Sequence, residues 1–281
     1  MNNNDGRRPR QMEDTNGFQT WYDQLPFVTK NWLTAAVLFT VMVNFEVIPI
    51  RSIYWSFEKV KDEFEIWRIL SNFLFMGTFS FNTLISLFML YQYSMNYESQ
   101  SGFNTGSGGG TADYVFMLIF GMMGLLITGS FIDVGVFFGE QLKDYVMYLW
   151  CKRDPAARVS LFGFPLQAMY LPFAHMGLRI FMGGSIATMV HAFVVAHVYY
   201  FLAEVVPKTH AKVILNTPEF LVSMFGVGEY ISPRPENGMQ GFGGGGGGWN
   251  RPGPNAPPAN AGGNNNQGGY DWGGGGQRLG R

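Results

Sequence analysis

Tyr114-Val-Phe-Met-Leu-Ile-Phe-Gly-Met-Met-Gly-Leu-Leu-Ile-Thr-Gly-Ser-Phe131 runs for 18 residues without a charge. Lipid offers nothing to free backbone N–H and C=O groups, so an apolar run of about 20 residues reads as a helix that crosses a bilayer. Working outward, residues 32–50, 70–91, 160–181 and 185–206 read the same way, with 160–181 interrupted by Pro165 and Pro172. A further segment, 133–151, has the length but carries Glu140, Lys143 and Asp144. Six such segments fit between residues 31 and 206 and predict an all-α membrane protein, a bundle of six transmembrane helices.

The rest of the chain differs in kind. Of 281 residues, 47% are hydrophobic and 14% charged, against roughly 25% charged in an ordinary soluble domain. Residues 226–281 hold 20 of the 37 glycines, and runs such as Gly243–Gly248 bury too little surface to fold, which predicts a tether. The expected division is a segment over 1–30, a transmembrane domain over 31–206 and a Gly/Pro/Asn-rich tail over 207–281. Residues 1–30 lack an apolar stretch of signal-peptide type, so the first span is expected to act as its own insertion signal. A net charge of −1 gives no field that would favour nucleic acid. Cys151 is the sole cysteine, which excludes a disulfide framework and a multi-cysteine metal site.

An even number of spans puts both termini on one side. That side carries 13 Lys and Arg and the other 5, with Lys143 left inside the fourth segment. Positive loops stay cytoplasmic, so both termini are expected in the cytosol. The first loop, 51–69, is aromatic and amphipathic and predicts a helix lying at the membrane interface, with Trp67 at headgroup level and Arg68 bonding phosphate or carbonyl groups there. Thr111 and Asp113 are placed to cap and charge the start of the third span.

Charges within spans are costly and ordinarily face a protein interior or a water-filled cleft. Glu140, Lys143 and Asp144 stand at i, i+3 and i+4, so they share one helix face and can pair. Two readings stand for them: a polar cleft open to water within the bilayer, joined by Glu46 and Asn82, or a loop followed by a shorter helix from Tyr145. Enzyme motifs are missing: there is no Gly-x-Ser-x-Gly elbow, His-Glu-x-x-His or phosphate loop. His191 and His197 lie six apart, the wrong spacing for a shared metal. Ala192 and Ala196 form a small-xxx-small pair that lets helices approach closely, and His197 beside them could serve an intramembrane serine protease as base. The fourth segment, however, contains no serine.

Several stretches in order resemble the derlin family, the inactive relatives of rhomboid proteases. They are Phe64-Glu-Ile-Trp67-Arg68-Ile-Leu-Ser-Asn72-Phe-Leu-Phe-Met-Gly77, Thr111-Ala-Asp113-Tyr-Val-Phe-Met117, Tyr170-Leu-Pro172, Ala196-His197-Val-Tyr-Tyr-Phe-Leu-Ala-Glu-Val-Val-Pro207 and Leu215-Asn-Thr217-Pro218. The resemblance implies a rhomboid-like six-helix pseudoprotease of the endoplasmic reticulum membrane that works in protein quality control. It makes Trp67 and Arg68 the first-loop motif, and places Ala192 and Ala196 where the family usually has Gly-x-x-x-Gly. Trp272 with Gln277-Arg278-Leu279-Gly280 is similar to the box by which derlins bind the AAA ATPase valosin-containing protein, with a spacer one glycine longer. A membrane RING ubiquitin ligase, misfolded substrates, the bilayer itself and other derlin copies are the further partners implied; no cofactor or metal is. The function expected is retrotranslocation through a polar, membrane-thinning conduit. The alternatives are a rhomboid-type intramembrane protease and a passive scaffold for the ATPase.

Overall fold

The computed structural model describes residues 17–99, 110–161, 163–210 and 214–225. A short helix, α1 (Gly17–Asp23), precedes α2 (Phe27–Asn44). The first loop holds α3 (Phe57–Asp62) and leads into α4 (Trp67–Leu74). Then come α5 (Phe81–Glu98), α6 (Thr111–Gly129) and α7 (Gly139–Arg153). An antiparallel hairpin, β1 (Arg158–Leu161) and β2 (Phe164–Gln167), pairs Arg158 with Gln167 and Leu161 with Phe164. The chain ends in α8 (Leu171–Phe181), α9 (Ile186–Tyr200), α10 (Val206–His210) and α11 (Glu219–Phe225).

Hydrogen bonds fix the direction of the long helices. Glu98, the last residue of α5, accepts from the N–H groups of Val28 (2.9 Å) and Thr29 (2.8 Å) in the first turn of α2. Ser94 near the end of α5 pairs with Tyr114 at the start of α6, 2.7 Å away. One end of the bundle, called the near end, therefore holds the start of α2, the end of α5 and the start of α6. Arg153 at the end of α7 bonds Tyr97 and Glu204 there too. At the opposite, far end, Thr128 of α6 meets His191 of α9, and Gly139 opens α7 against α4.

Among the described residues, three helices are long and apolar enough to cross a membrane: α2, α6 and the continuous helical run Ile186–Thr209. The segment 70–91, expected as one span, is broken. Gly77 takes φ +119°, Ser80 accepts from the Thr83 N–H as the cap of α5, and Asn44 binds the Phe79 N–H (2.8 Å) and the Gly77 carbonyl (3.1 Å). A cap and a left-handed glycine stop one helix and start the next. The segment 160–181 also differs: its first third belongs to the hairpin, a 3-10 turn follows over Ala168–Tyr170, and the 11 residues of α8 are α-helical. Pro165 has no N–H for a helical ladder, whereas Pro172 sits in the first turn of α8, where none is needed. Thr111 does not cap α6; Gly110, at φ +64°, holds the cap position and makes no side-chain capping bond.

Structure also continues past the expected boundary at 206. Between α9 and α10 lies a π-turn, Phe201–Val205. Pro207 cannot donate to Ala203, and its ring would crowd that carbonyl in an ordinary helix; the wider turn relieves both. Beyond it, Thr217 and Leu221 are buried.

The centre of the bundle is α7, which packs on α4, α5, α6, α8 and α9. Close approach depends on two glycines. A β-carbon at Gly139 would lie 2.5 Å from the Phe75 carbonyl oxygen, and one at Gly121 would lie 2.6 Å from the Tyr145 ring. Tyr145, Val146, Met147, Leu149 and Trp150 fill the core together with Met117, Leu125, Ala192, Ala196 and Tyr199.

Candidate functional site

The face of α7 that carries Glu140, Lys143 and Asp144 lies inside the protein. The loop reading is corrected: the helix begins at Gly139, so all three side chains project from regular turns. Lys143 is 1% exposed and Asp144 is 0% exposed, and they pair at 3.1 Å. Two isolated charges at that depth would cost far more than their attraction returns, so further partners are required. Arg179, from the last turns of α8, supplies them. Its Nη2 lies 2.7 Å from Glu140 Oε2 and its Nη1 lies 3.3 Å from Asp144 Oδ2. The four charges sum to zero.

Neutral groups complete the site. Ser86 of α5 donates to Glu140 Oε1 (3.1 Å), and the Asn82 amide stands 3.4 Å from the same oxygen. His175 of α8 brings Nε2 to 3.7 Å from Asp144 Oδ1, while its buried Nδ1 has no hydrogen-bond partner among the described residues. The cluster thus joins α5, α7 and α8 in the far half of the bundle. Asn82 is exposed and Glu140 partly so, so the polar set reaches the surface. Glu46 is not part of it. That residue sits exposed on the turn after α2, in a left-handed conformation at φ +60°, and makes no hydrogen bond to the cluster.

A second polar network lies behind the first. His191 Nδ1 is 2.6 Å from Gln141 Oε1, and its Nε2 is 2.6 Å from the Thr128 hydroxyl. Gln141 donates onward to the Val134 carbonyl at 3.1 Å. These bonds tie α6, α7 and α9 together at the far end. His197 lies near the other end of α9, exposed, with Nδ1 2.9 Å from the Tyr148 hydroxyl. The two histidines are held by separate partners. Ala192 and Ala196 are fully buried on the face of α9 that meets α7 and α6.

The first-loop pair divides its labour. Arg68, expected to bond phosphate or carbonyl groups, is 2% exposed and spends its guanidinium on the protein's own groups. Its Nη1 donates to the Arg51 and Tyr54 carbonyls, both at 3.0 Å, its Nε bonds Glu65, and its guanidinium lies 4.7 Å from the centre of the Tyr54 ring. A planar fork with five donors satisfies this loop backbone where water cannot reach. Trp67 points outward, 55% exposed, with its indole N–H on the Ser52 carbonyl at 3.2 Å. Phe57, Phe64, Ile66 and Leu70 share its exposure, so the loop presents apolar rings on an arginine-held frame.

Reading the sequence missed Arg179, Ser86, His175, Gln141 and Thr128 as parts of these networks. Arg179 reads as a loop charge, because a cation near the end of an apolar segment ordinarily snorkels to the interface. Trp272, Gln277, Arg278, Leu279 and Gly280 lie outside the described residues.

Comparison with known proteins covers the same ground. The sequence model of the Der1-like family matches residues 25–219. Derlin-2 of Oryza sativa subsp. japonica is 32% identical over 236 residues, which is 80% of this chain and 93% of its own. Derlin-2.2 of Arabidopsis thaliana is 31% identical over 231 residues, 78% of this chain and 92% of its own. Derlin-1 of Oryza sativa subsp. japonica is 32% identical over 216 residues, 74% of this chain and 86% of its own. The match takes in every helix from α2 to α10, the arginine-held first loop and the charged face of α7, and the chain belongs to the Der1-like family.

Proposed function

We propose that this chain is a non-enzymatic component of endoplasmic-reticulum-associated degradation, which eases misfolded proteins out of the lumen into the cytosol. In this reading both termini are cytosolic, so the far end faces the lumen. A polypeptide crossing lipid must keep its backbone groups satisfied. The polar set of Asn82, Ser86, Glu140, Asp144 and Arg179 offers donors and acceptors between α5 and α8 for that purpose. The observation that carries the reading is the shortness of the two helices holding this set. At 1.5 Å per residue, the 15 residues of α7 reach about 22 Å and the 11 of α8 about 16 Å. Both fall short of the roughly 30 Å of a bilayer core, and lipid adapts to short helices by thinning.

No serine among the described residues bonds His197, and the facing helix α7 carries none, which supports a role without peptide cleavage. Residues 226–281 serve as a tether in this reading. Trp272 and Gln277–Gly280 recruit a valosin-containing-protein-type ATPase that supplies the pull, and tethering raises its local concentration at the exit. A RING ubiquitin ligase and further derlin copies are the membrane partners proposed.

Degradation of a misfolded luminal substrate in cells tests the conduit. Asn82→Leu removes an exposed polar group at the rim without touching the core, and a several-fold longer substrate half-life is expected. A wild-type half-life at equal protein level rejects the polar path. Deleting residues 270–281 should abolish co-purification of the ATPase; full retention rejects the tail assignment.

A further inference from the structure

The stretch Leu215-Asn-Thr217-Pro218 and the helix that follows it take no part in the polar path. Thr217 is 2% exposed, and its hydroxyl donates to the carboxylate of Asp113, itself buried in the first turn of α6. Leu221 is buried, and the Phe225 ring lies 6.0 Å from that of Phe27, the first residue of α2. At about 100° per residue, α11 then has three successive faces. Leu221 and Phe225 form the inner one. Phe220 and Met224, one turn apart, form the next, and they are 64% and 73% exposed. Glu219 and Ser223 form the third. Phe27 is also 59% exposed, at the head of a helix long and apolar enough to cross a membrane. The inner face of α11 therefore meets the head of α2 through Phe225 and Phe27, and the exposed Phe220–Met224 face is the neighbouring one on the same short helix.

We infer that residues 214–225 form a clasp: Thr217, Leu221 and Phe225 grip the bundle, and the Phe220–Met224 face enters the boundary between lipid headgroups and acyl chains. Lipid is the partner of that face. A helix whose apolar side meets acyl chains and whose polar side meets water lies in the membrane plane, and here the third side is bolted to α6. Phe225, the last described residue, is consequently held beside the head of α2 and not at the end of α10. This inference rests on the membrane placement of α2 and α6 and not on the ATPase assignment, so loss of that assignment leaves it standing.

Site-directed spin labelling of the full chain in phosphatidylcholine–phosphatidylserine vesicles tests it. Cys151 is the sole native cysteine and is buried, so single labels can be placed at Phe220→Cys, Met224→Cys and Glu219→Cys, with unsubstituted protein as the labelling control. Labels at 220 and 224 are expected to collide several-fold more often with oxygen, and less with a water-soluble nickel chelate, than the label at 219. Equal nickel access at all three positions overturns the lipid face. Protection of 220 and 224 from both reagents also overturns it, because protein then covers them. The grip is tested separately: Thr217→Val, and independently Leu221→Ala, should free a label at 224 to move faster and meet nickel. An unchanged spectrum in both variants, with the circular dichroism of the bundle intact, overturns the clasp.

Discussion

Replacing Arg179 by methionine keeps the aliphatic stem and removes the guanidinium that bridges two acids. Glu140 loses a partner at 2.7 Å and Asp144 loses one at 3.3 Å. Arg179 is 15% exposed, so little solvent screens the change. Removing one member of a buried ion pair costs about 3–5 kcal/mol, chiefly through the charge left behind. The lower end applies here: Lys143 still neutralises Asp144, and Ser86 still donates to Glu140. We expect a loss of about 3 kcal/mol. Reversible unfolding in mixed micelles of a mild detergent and dodecyl sulfate, followed by circular dichroism, reads it directly. A second variant separates charge from packing. Adding Glu140→Gln to Arg179→Met removes the stranded charge, and the pair should recover at least about 1 kcal/mol relative to additivity. If Arg179→Met unfolds within about 0.5 kcal/mol of wild type, the cluster holds nothing together and the reasoning fails.

Other predictions follow from the same geometry. Arg68→Lys puts one ammonium where a fork served two carbonyls and Glu65, so amide exchange over residues 51–68 should quicken by the equivalent of about 1–3 kcal/mol; unchanged exchange would contradict the staple. Gly139→Ala sets a methyl 2.5 Å from the Phe75 oxygen and should cost about 1–3 kcal/mol in the same unfolding assay. Gly177→Ala meets nothing within 4 Å and should be neutral or slightly stabilising, since alanine is the better helix former; equal losses for the two would refute the packing argument. Gln141→Leu strands His191 Nδ1 and the Val134 carbonyl and should cost about 1–3 kcal/mol, visible as faster exchange at the far ends of α6 and α9.

The long helices were legible because an apolar run of bilayer length leaves little choice of conformation. Reading by average hydropathy also explains the errors. Residues 70–91 are apolar enough on average to hide the Gly77–Ser80 break, which depends on one cap and on Asn44 of another helix. Residues 160–181 hide a hairpin, because a strand and a helix of equal hydropathy look alike in a wide window. The charged face of α7 was legible through its i, i+3, i+4 spacing, which is a local property. Its partner Arg179 was not, because a contact spanning 35 residues from Asp144 has no local signature. Arg68 shows the same limit. Its residue type and position suit a headgroup, and only the fold reveals that the carbonyls of Arg51 and Tyr54 converge on it first.

The π-turn at Phe201–Val205 means that the last long helix carries one residue more than an even spiral needs. Everything after it is rotated by about 100° relative to an uninterrupted helix. Glu204, inside the wide turn, meets Arg153 of α7. Deleting Leu202 would let the turn close to an ordinary spiral with its two flanks still in phase, yet Pro207 would then press on the Ala203 carbonyl four residues before it. The surplus residue works as an expansion joint for the proline.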